Sequence, residues 1–458
     1  MTSSPLSEIF KAYDIRGVVP DQLDEDAAWA IGFGFARFVA ESTGTAGAEI
    51  LVGRDMRTSG PVLSAAFMSG VVAAGGQVTS LGLASTDLVY YASGKRNAAA
   101  VMLTASHNPA QYNGMKLCLP GAKPIGEESG LGDVLKYAED AIGAAGQRVP
   151  LPAVDEVDLL DDFADHVRSF IDVADLRPFV VVADTANGMG GLVAPRVFSG
   201  LPVTLHVLFG ELDGTFPNHP ADPIQPENLR DLVAAIADRH ADVGLAFDGD
   251  ADRVFLVDEL GVPVPGSTTT AIVAAAMLDR HPGATVLYNC ICSKTVREVI
   301  AEHGGTGIRT RVGHSFIKQV MAETGAIFGG EHSGHYYFEK NYRADSGIIA
   351  ALVVLDVLSR ANVPLSELRK PFERYAASGE INTTVVDQGA VIDAVEAHYA
   401  PEAATDRFDG LTVDCGSWWF NLRPSNTEPL LRLNVEAADA AACALRVAEV
   451  QALMVTGG

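Results

Sequence analysis

Thr104-Ala105-Ser106-His107-Asn108-Pro109 sets a hydroxyl beside an imidazole and an amide, with a proline ending the run. A nucleophilic serine needs partners elsewhere in the chain; alone, the stretch reads as an ordinary polar turn. Asp248-Gly249-Asp250-Ala251-Asp252-Arg253 has three carboxylates at alternating positions with small residues between them. A tight loop can turn those oxygens inward, and hard divalent cations such as Mg²⁺ take that oxygen set. Three crowded carboxylates are costly without a cation, and Arg253 is left to reach a ligand phosphate. A solvated acidic turn is one alternative. A calcium loop is another, since the twelfth position from Asp248 is Glu259. Against it, the sixth position is Arg253 rather than glycine, and Val254–Val257 reads as strand.

Further stretches offer complementary chemistry. Gly313-His314-Ser315-Phe316-Ile317-Lys318 precedes a helical pattern and offers His314 and Lys318 as phosphate contacts. Gly329-Gly330-Glu331-His332-Ser333-Gly334-His335 is a glycine-flanked loop with a carboxylate, a hydroxyl and two imidazoles. A carboxylate beside a hydroxyl suits the vicinal hydroxyls of a sugar; a flexible turn is the alternative. Leu422-Arg423-Pro424-Ser425-Asn426-Thr427-Glu428-Pro429 brackets an arginine fork, two hydroxyls and an amide with prolines. That set makes a metal-free phosphate cradle. It lacks the lysine and glycine spacing of a P-loop, so nucleoside triphosphates are not indicated. Near the start, Lys11, Tyr13, Asp14 and Arg16 precede Gly17 in what reads as an edge strand with a solvated Asp14.

These loops need elements to position them. Ala98–Leu103 is a short apolar run, which predicts a buried strand with Ser106 on the loop leaving its end. In open α/β sheets ligands collect there. The order strand, polar loop, helix recurs: Glu49–Gly53 into Arg54–Gly60 and a helix Pro61–Ala74, Phe179–Ala183 into Asp184–Gly191, and Ala284–Tyr288 into Asn289–Ser293 and a helix Lys294–His303. Asp26–Glu41 is a further helix by its apolar spacing. The recurrence predicts three related α/β units that feed one crevice. From about Arg369 the pattern changes to α+β, with strands at Ile381–Val386 and Leu411–Asp414 and helices at Gly389–His398 and Ala438–Met454. A Gly-, Ala- and Pro-rich join at 143–152 and a hairpin turn at Asp258–Gly261 give units 1–150, 151–257, 258–368 and 369–458.

Composition narrows the partners. With 458 residues and 48% apolar content the chain can build several cores. Its 33 basic against 58 acidic residues give a net charge of −25, which argues against nucleic acid or an anionic membrane. No apolar run approaches a membrane span, and Met1–Tyr13 lacks the features of a signal peptide. Five scattered cysteines suggest free thiols, and the expected location is the cytoplasm.

Taken together and in this order, the motifs resemble those of the α-D-phosphohexomutase superfamily, and within it the phosphomannomutase/phosphoglucomutase group. Lys11–Gly17, Thr104–Pro109, Asn113–Lys116, Asp248–Arg253, Gly330–His335 and Arg423–Pro429 carry the likeness, with Phe216–His219 and Pro226–Leu229 as further matches. The resemblance implies three similar mixed-sheet α/β domains and a TATA-binding-protein-like α+β domain around a central cleft. It implies phosphoserine at Ser106, with Asp248, Asp250 and Asp252 completing the shell of one Mg²⁺. It implies sugar contacts from Glu331 and Ser333, and a cradle for the idle phosphate from Arg423, Ser425, Asn426 and Thr427. Arg16, His107, Lys116, Arg253 and His335 should line the reacting end together with Tyr13, and Lys116 and His335 are the candidate general acid and base. The expected reaction interconverts hexose 1- and 6-phosphates through a hexose 1,6-bisphosphate, which also serves as activator. Phosphoglucosamine mutases usually show a glutamine where this chain has His332, which favours mannose or glucose. A sugar phosphatase and a non-catalytic sugar-phosphate-binding protein are the rival readings, and the oligomeric state stays open.

Overall fold

The computed structural model describes residues 6–147, 151–424 and 430–456. The buried run Ala99–Leu103 lies parallel to Glu49–Arg54, which lies parallel to Gln77–Leu83. Parallel strands in the middle of a sheet are covered on both faces, which is why Ala99–Leu103 is continuously apolar rather than alternating. Tyr112–Leu119 and Ile15–Val18 extend the sheet antiparallel on the other side. Helix Glu25–Thr43, capped by Asp24, packs on helix Gly60–Ala73, whose Pro61 suits the first turn. Their approach needs glycine: a Cβ on Gly70 would lie 2.0 Å from the Trp29 carbonyl oxygen.

The second sheet runs Pro263–Val264, Val254–Asp258, Val243–Phe247, Phe179–Asp184, Val203–Leu208. The third runs Thr306–Thr310, Thr285–Asn289, Phe328–Gly330, Tyr336–Phe338. Both mix parallel and antiparallel pairs. The fourth sheet is wholly antiparallel, from Ala376–Thr384 through Leu430–Ala437, Trp419–Pro424 and Leu411–Asp414 to Ala404–Asp406. Helices Gln388–Tyr399 and Ala440–Thr456 complete that domain. The expected strand at Ile381–Val386 starts earlier, at Ala376, because a bulge between Ala377 and Glu380 interrupts its alternation.

Two sheets run past the expected joins. Asp155–Glu156 pairs with Thr79–Ser80 of the first sheet, and Pro263–Val264 pairs with Leu256–Val257 of the second. The breaks at 150/151 and 257/258 therefore fall within sheets, because two-residue strands leave no periodicity to read. The turn between Val254–Asp258 and Pro263–Val264 does form, with the Asp258 carboxylate accepting from the backbone N–H groups of Leu260 and Val262. No single helix among the described residues is long and apolar enough to cross a membrane, and the five cysteines are free.

Candidate active site

Ser106 leaves the end of Ala99–Leu103 with φ +50°, a left-handed conformation that is unfavourable for a residue with a side chain. The residue that holds it there is Arg57, which motif reading passed over. Its guanidinium is fully buried and donates to the carbonyls of Ser106 (2.9 Å), Asn108 (2.6 Å), Pro109 (2.8 Å) and Tyr112 (2.8 Å) and to Asp55 (3.2 Å). The available signal was positional: Arg57 lies on the loop after Glu49–Arg54, as Ser106 lies on the loop after Ala99–Leu103, the strand paired with it.

Ser106 Oγ donates to Asp248 Oδ2 at 2.7 Å and lies 3.1 Å from Arg253 Nη2 and 3.2 Å from His107 Nδ1. Burial, then the Arg253 charge, holds His107 well below the usual histidine range, so it is a neutral imidazole accepting from Arg253 at 2.5 Å. Arg16 Nη1 bonds Asn108 Oδ1 at 2.5 Å, fixing the other side of the serine loop. Asp14 is not solvated as expected. It is 9% exposed and holds Arg16 Nη2 at 2.5 Å, because the chain before Ile15–Val18 folds back over the strand's end.

Asp248, Asp250 and Asp252 follow Val243–Phe247, and each offers an oxygen within 4.8 Å of the others. All three are inaccessible to solvent. Close packing brings the loop to the serine: a Cβ on Gly249 would fall 2.5 Å from the Ser106 carbonyl oxygen. Lys116 Nζ donates to Asp250 Oδ2 (2.8 Å) and Asp252 Oδ2 (2.5 Å), while Oδ1 of both residues is buried without a hydrogen-bond partner. Burial pushes Asp248 up to about 6; burial and the Asp250 charge push Asp252 up to about 7. For Asp250 the cost of burial is outweighed by Lys116, which holds it well below the carboxylate range. Two unpartnered buried oxygens and two carboxyls strained toward protonation are what a hard cation would satisfy. The calcium-loop alternative fails: Glu259 lies beyond the strand Val254–Asp258 and binds the backbone N–H and hydroxyl of Ser366.

Across the cleft, Phe328–Gly330 and Tyr336–Phe338 hold the Glu331–His335 loop as a hairpin, not a flexible turn. Glu331 Oε1 accepts from Asn289 (3.1 Å) and the Gly313 N–H (3.2 Å), and Oε2 from Tyr337 (2.7 Å), leaving Oε2 capacity for one more donor. Ser333 Oγ lies 3.0 Å from His335 Nδ1, and His335 Nε2 lies 3.8 Å from Asp252 Oδ1. Burial pushes His335 down to about 4 against the pull of Asp252. The same chain segment therefore joins the sugar-type loop to the carboxylate cluster.

The Gly313–Lys318 pair divides. His314 sits edge-on to Tyr13, ring centroids 5.7 Å apart, and burial holds it neutral. Tyr13 reaches the Val312 carbonyl at 3.4 Å and so ties the first unit to the third. Lys318 is not brought to an open face: its Nζ lies 2.6 Å from Asp345 Oδ1 and 3.6 Å from the Tyr90 ring centroid, almost wholly buried. Arg423 faces Glu380 at 3.6 Å and Asp409 at 3.9 Å, too long to occupy its donors. Burial, with the Arg423 charge next, pushes His332 down to about 3. Ser425, Asn426 and Thr427 lie outside the described residues.

Comparison with known proteins agrees with this geometry. Residues 7–132, 161–261 and 265–375 match the phosphoglucomutase/phosphomannomutase alpha/beta/alpha domains I, II and III, and 380–453 match the C-terminal domain. The phosphomannomutase of Salmonella typhimurium is 38% identical over 436 residues, 93% of this chain and 94% of that protein. The phosphomannomutase/phosphoglucomutase of Pseudomonas putida is 38% identical over 435 residues, covering 94% and 91%. A phosphoglucomutase/phosphomannomutase family protein of Burkholderia thailandensis superposes with a TM-score of 0.86 at 32% identity, over 98% of this chain and 97% of that one. With all four domains in order and relatives matched nearly end to end, the chain belongs to the phosphoglucomutase/phosphomannomutase family.

Proposed function

We propose that the protein interconverts hexose 1-phosphate and hexose 6-phosphate, with mannose or glucose as the sugar, through phosphoserine 106 and a hexose 1,6-bisphosphate. The observation that carries this reading is Ser106 Oγ at 2.7 Å from Asp248 Oδ2, on the rim of a buried three-carboxylate cluster. Five free cysteines suit a reducing compartment, the cytoplasm.

Asp248, Asp250 and Asp252 would hold one Mg²⁺, which when bound supplies charge neutralisation beside the Ser106 oxygen. The free sugar hydroxyl attacks the phosphoryl group, its bond to Ser106 Oγ breaks, and the hydroxyl proton needs an acceptor. Of the two candidates, His335 suits that role. With its proton on Nδ1 and donated to Ser333, neutral His335 presents an Nε2 lone pair. Lys116 suits the other. Burial opposes its charge, but Asp250 and Asp252 keep it protonated, so it acts as a cation near the transferring group or as the acid. Arg253 and Arg16 border the same end. After the bisphosphate turns over, its other phosphate returns to Ser106. Glu331 and Ser333 would read the sugar hydroxyls in either orientation, while Arg423 with Ser425, Asn426 and Thr427 holds the idle phosphate.

The test follows interconversion of mannose 1- and 6-phosphate with Mg²⁺, with and without glucose 1,6-bisphosphate, beside Ser106→Ala and a glucose 1-phosphate series. Activator-dependent isomerisation that falls at least about 10³-fold in the variant is expected. Free phosphate without isomer would replace the mutase with a phosphatase.

A further inference from the structure

The loop bearing Asp248, Asp250 and Asp252 belongs to the second unit, yet helices from the other two α/β units begin on it. Helix Thr86–Arg96 of the first unit starts with the Thr86 N–H donating to the Asp250 carbonyl at 3.0 Å and Thr86 Oγ1 donating to Asp250 Oδ2 at 2.6 Å. Helix Gly347–Ala361 of the third unit starts with the Gly347 N–H donating to the Asp252 carbonyl at 3.0 Å. The two helix starts are fastened to each other. Ser346 Oγ, the cap of the second helix, donates to Asp87 Oδ2 at 2.7 Å, and Asp87 Oδ1 accepts from Ser85 Oγ and the Leu88 N–H. Ser85, Thr86, Asp87 and Ser346 have no solvent-exposed surface.

The hydroxyl of Thr86 helps to hold the Asp250 carboxylate in place, donating to the same oxygen as Lys116. Thr86 and Lys116 both take Oδ2, which leaves Oδ1 buried and unpartnered. Lys116 also binds Asp252 and is tied to two carboxylates at once, whereas Thr86 addresses Asp250 alone. A neutral donor that orients a ligand carboxylate leaves its full charge available to the cation, and losing such a partner typically lowers metal affinity 10–100-fold.

We propose that Thr86 is a positioning residue of the cation site, supplied by the first unit to the loop of the second. Cation affinity then depends on the junction of three units and not on the acidic loop alone. The inference rests on the proposed function only for the identity of the ion.

Calorimetric titration of the full chain with Mg²⁺ and with Mn²⁺ tests it, using Thr86→Val and Thr86→Ser, with melting followed in chelator and in excess Mg²⁺. Thr86→Val is expected to bind either ion about 10–100-fold more weakly, and Thr86→Ser to recover most of the loss. The stabilisation that Mg²⁺ adds to the melt should shrink in Thr86→Val, beyond the loss in chelator that comes from removing the buried hydrogen bond itself. Thr86→Ala carries the same expectation if the valine variant does not fold. Wild-type affinity in the valine or alanine variant overturns the proposal, as does weakened binding that serine fails to restore. Wild-type protein that binds Mg²⁺ without isomerising sugar phosphates would instead sink the mutase and leave the role of Thr86 standing.

Discussion

The first three units share an apolar core, whereas the fourth keeps its own. One contiguous cluster runs from Leu51 and Met102 through Phe163 and Phe247 to Val286 and Ile348. The fourth domain closes separately around Val391, Leu411, Phe420, Leu433 and Val450. Its ties to the third are largely polar: Lys294 to Asp414 at 2.8 Å, Arg309 to Asp406 at 2.9 Å, Arg374 to Glu298 at 3.0 Å, and Asp409 accepting from the Val312 N–H at 2.7 Å. A cavity of about 240 Å³ lies between these two domains. Part-buried ion pairs and hydrogen bonds, rather than a continuous apolar core, therefore hold the fourth domain to the third.

The same contrast separates the two ends of the site. Around Ser106 and the aspartates, Arg57, Arg253, Lys116 and Thr86 are bonded at 2.5–3.2 Å. Around Arg423, the neighbouring carboxylates stand at 3.6 and 3.9 Å. A reaction that brings either end of one sugar to a single phosphoryl site is served by a fixed reacting end and a compliant distal holder.

The contrast can be broken at its rigid end. Arg57→Met leaves Asp55 and four carbonyls without their partner and should cost about 3–5 kcal/mol of stability. Chemical denaturation of the first three units should show that loss, with the transition of the fourth domain unmoved. A smaller effect sharpens the compliant end: Arg423→Lys keeps charge but loses the fork. KM for the sugar phosphate should rise about tenfold with kcat within about threefold; an equal loss in kcat would mean that the distal holder is as rigid as the reacting end.

A further test probes the junction itself. Burial pushes Asp87 up to about 7, against about 3.9 in the unfolded chain. The folded protein then keeps a proton that the unfolded chain releases, so this group favours folding below about pH 4 and that contribution is lost as pH rises toward 7. Asp87→Asn should flatten the pH dependence of unfolding in that window by up to about 1.4 kcal/mol per pH unit. An unchanged slope would show Asp87 ionised inside the rigid block.

Much of this was legible from the chain because the functional groups are packed into short loops at strand ends. Ser106–Asn108, Asp248–Arg253 and Glu331–His335 each carry their chemistry within a few residues, and the structure brings them together. Arg57 and Thr86 were not legible, since each acts on a partner distant in sequence: Thr86 and Asp250 are 164 positions apart. Lys318 misled for the same reason, as nothing in its helix announces that Asp345 faces it.

Local order of residue types determined the elements, the three repeated α/β patterns, the change at the fourth domain and the loops that carry chemistry. Apolar periodicity and glycine or proline punctuation are short-range properties of a chain. Tertiary structure alone decided which charges are buried together, which carboxylate oxygens remain unpaired, and which units share an apolar core. Those outcomes depend on desolvation and on hydrogen-bond geometry between residues a hundred or more positions apart, which no window of sequence contains.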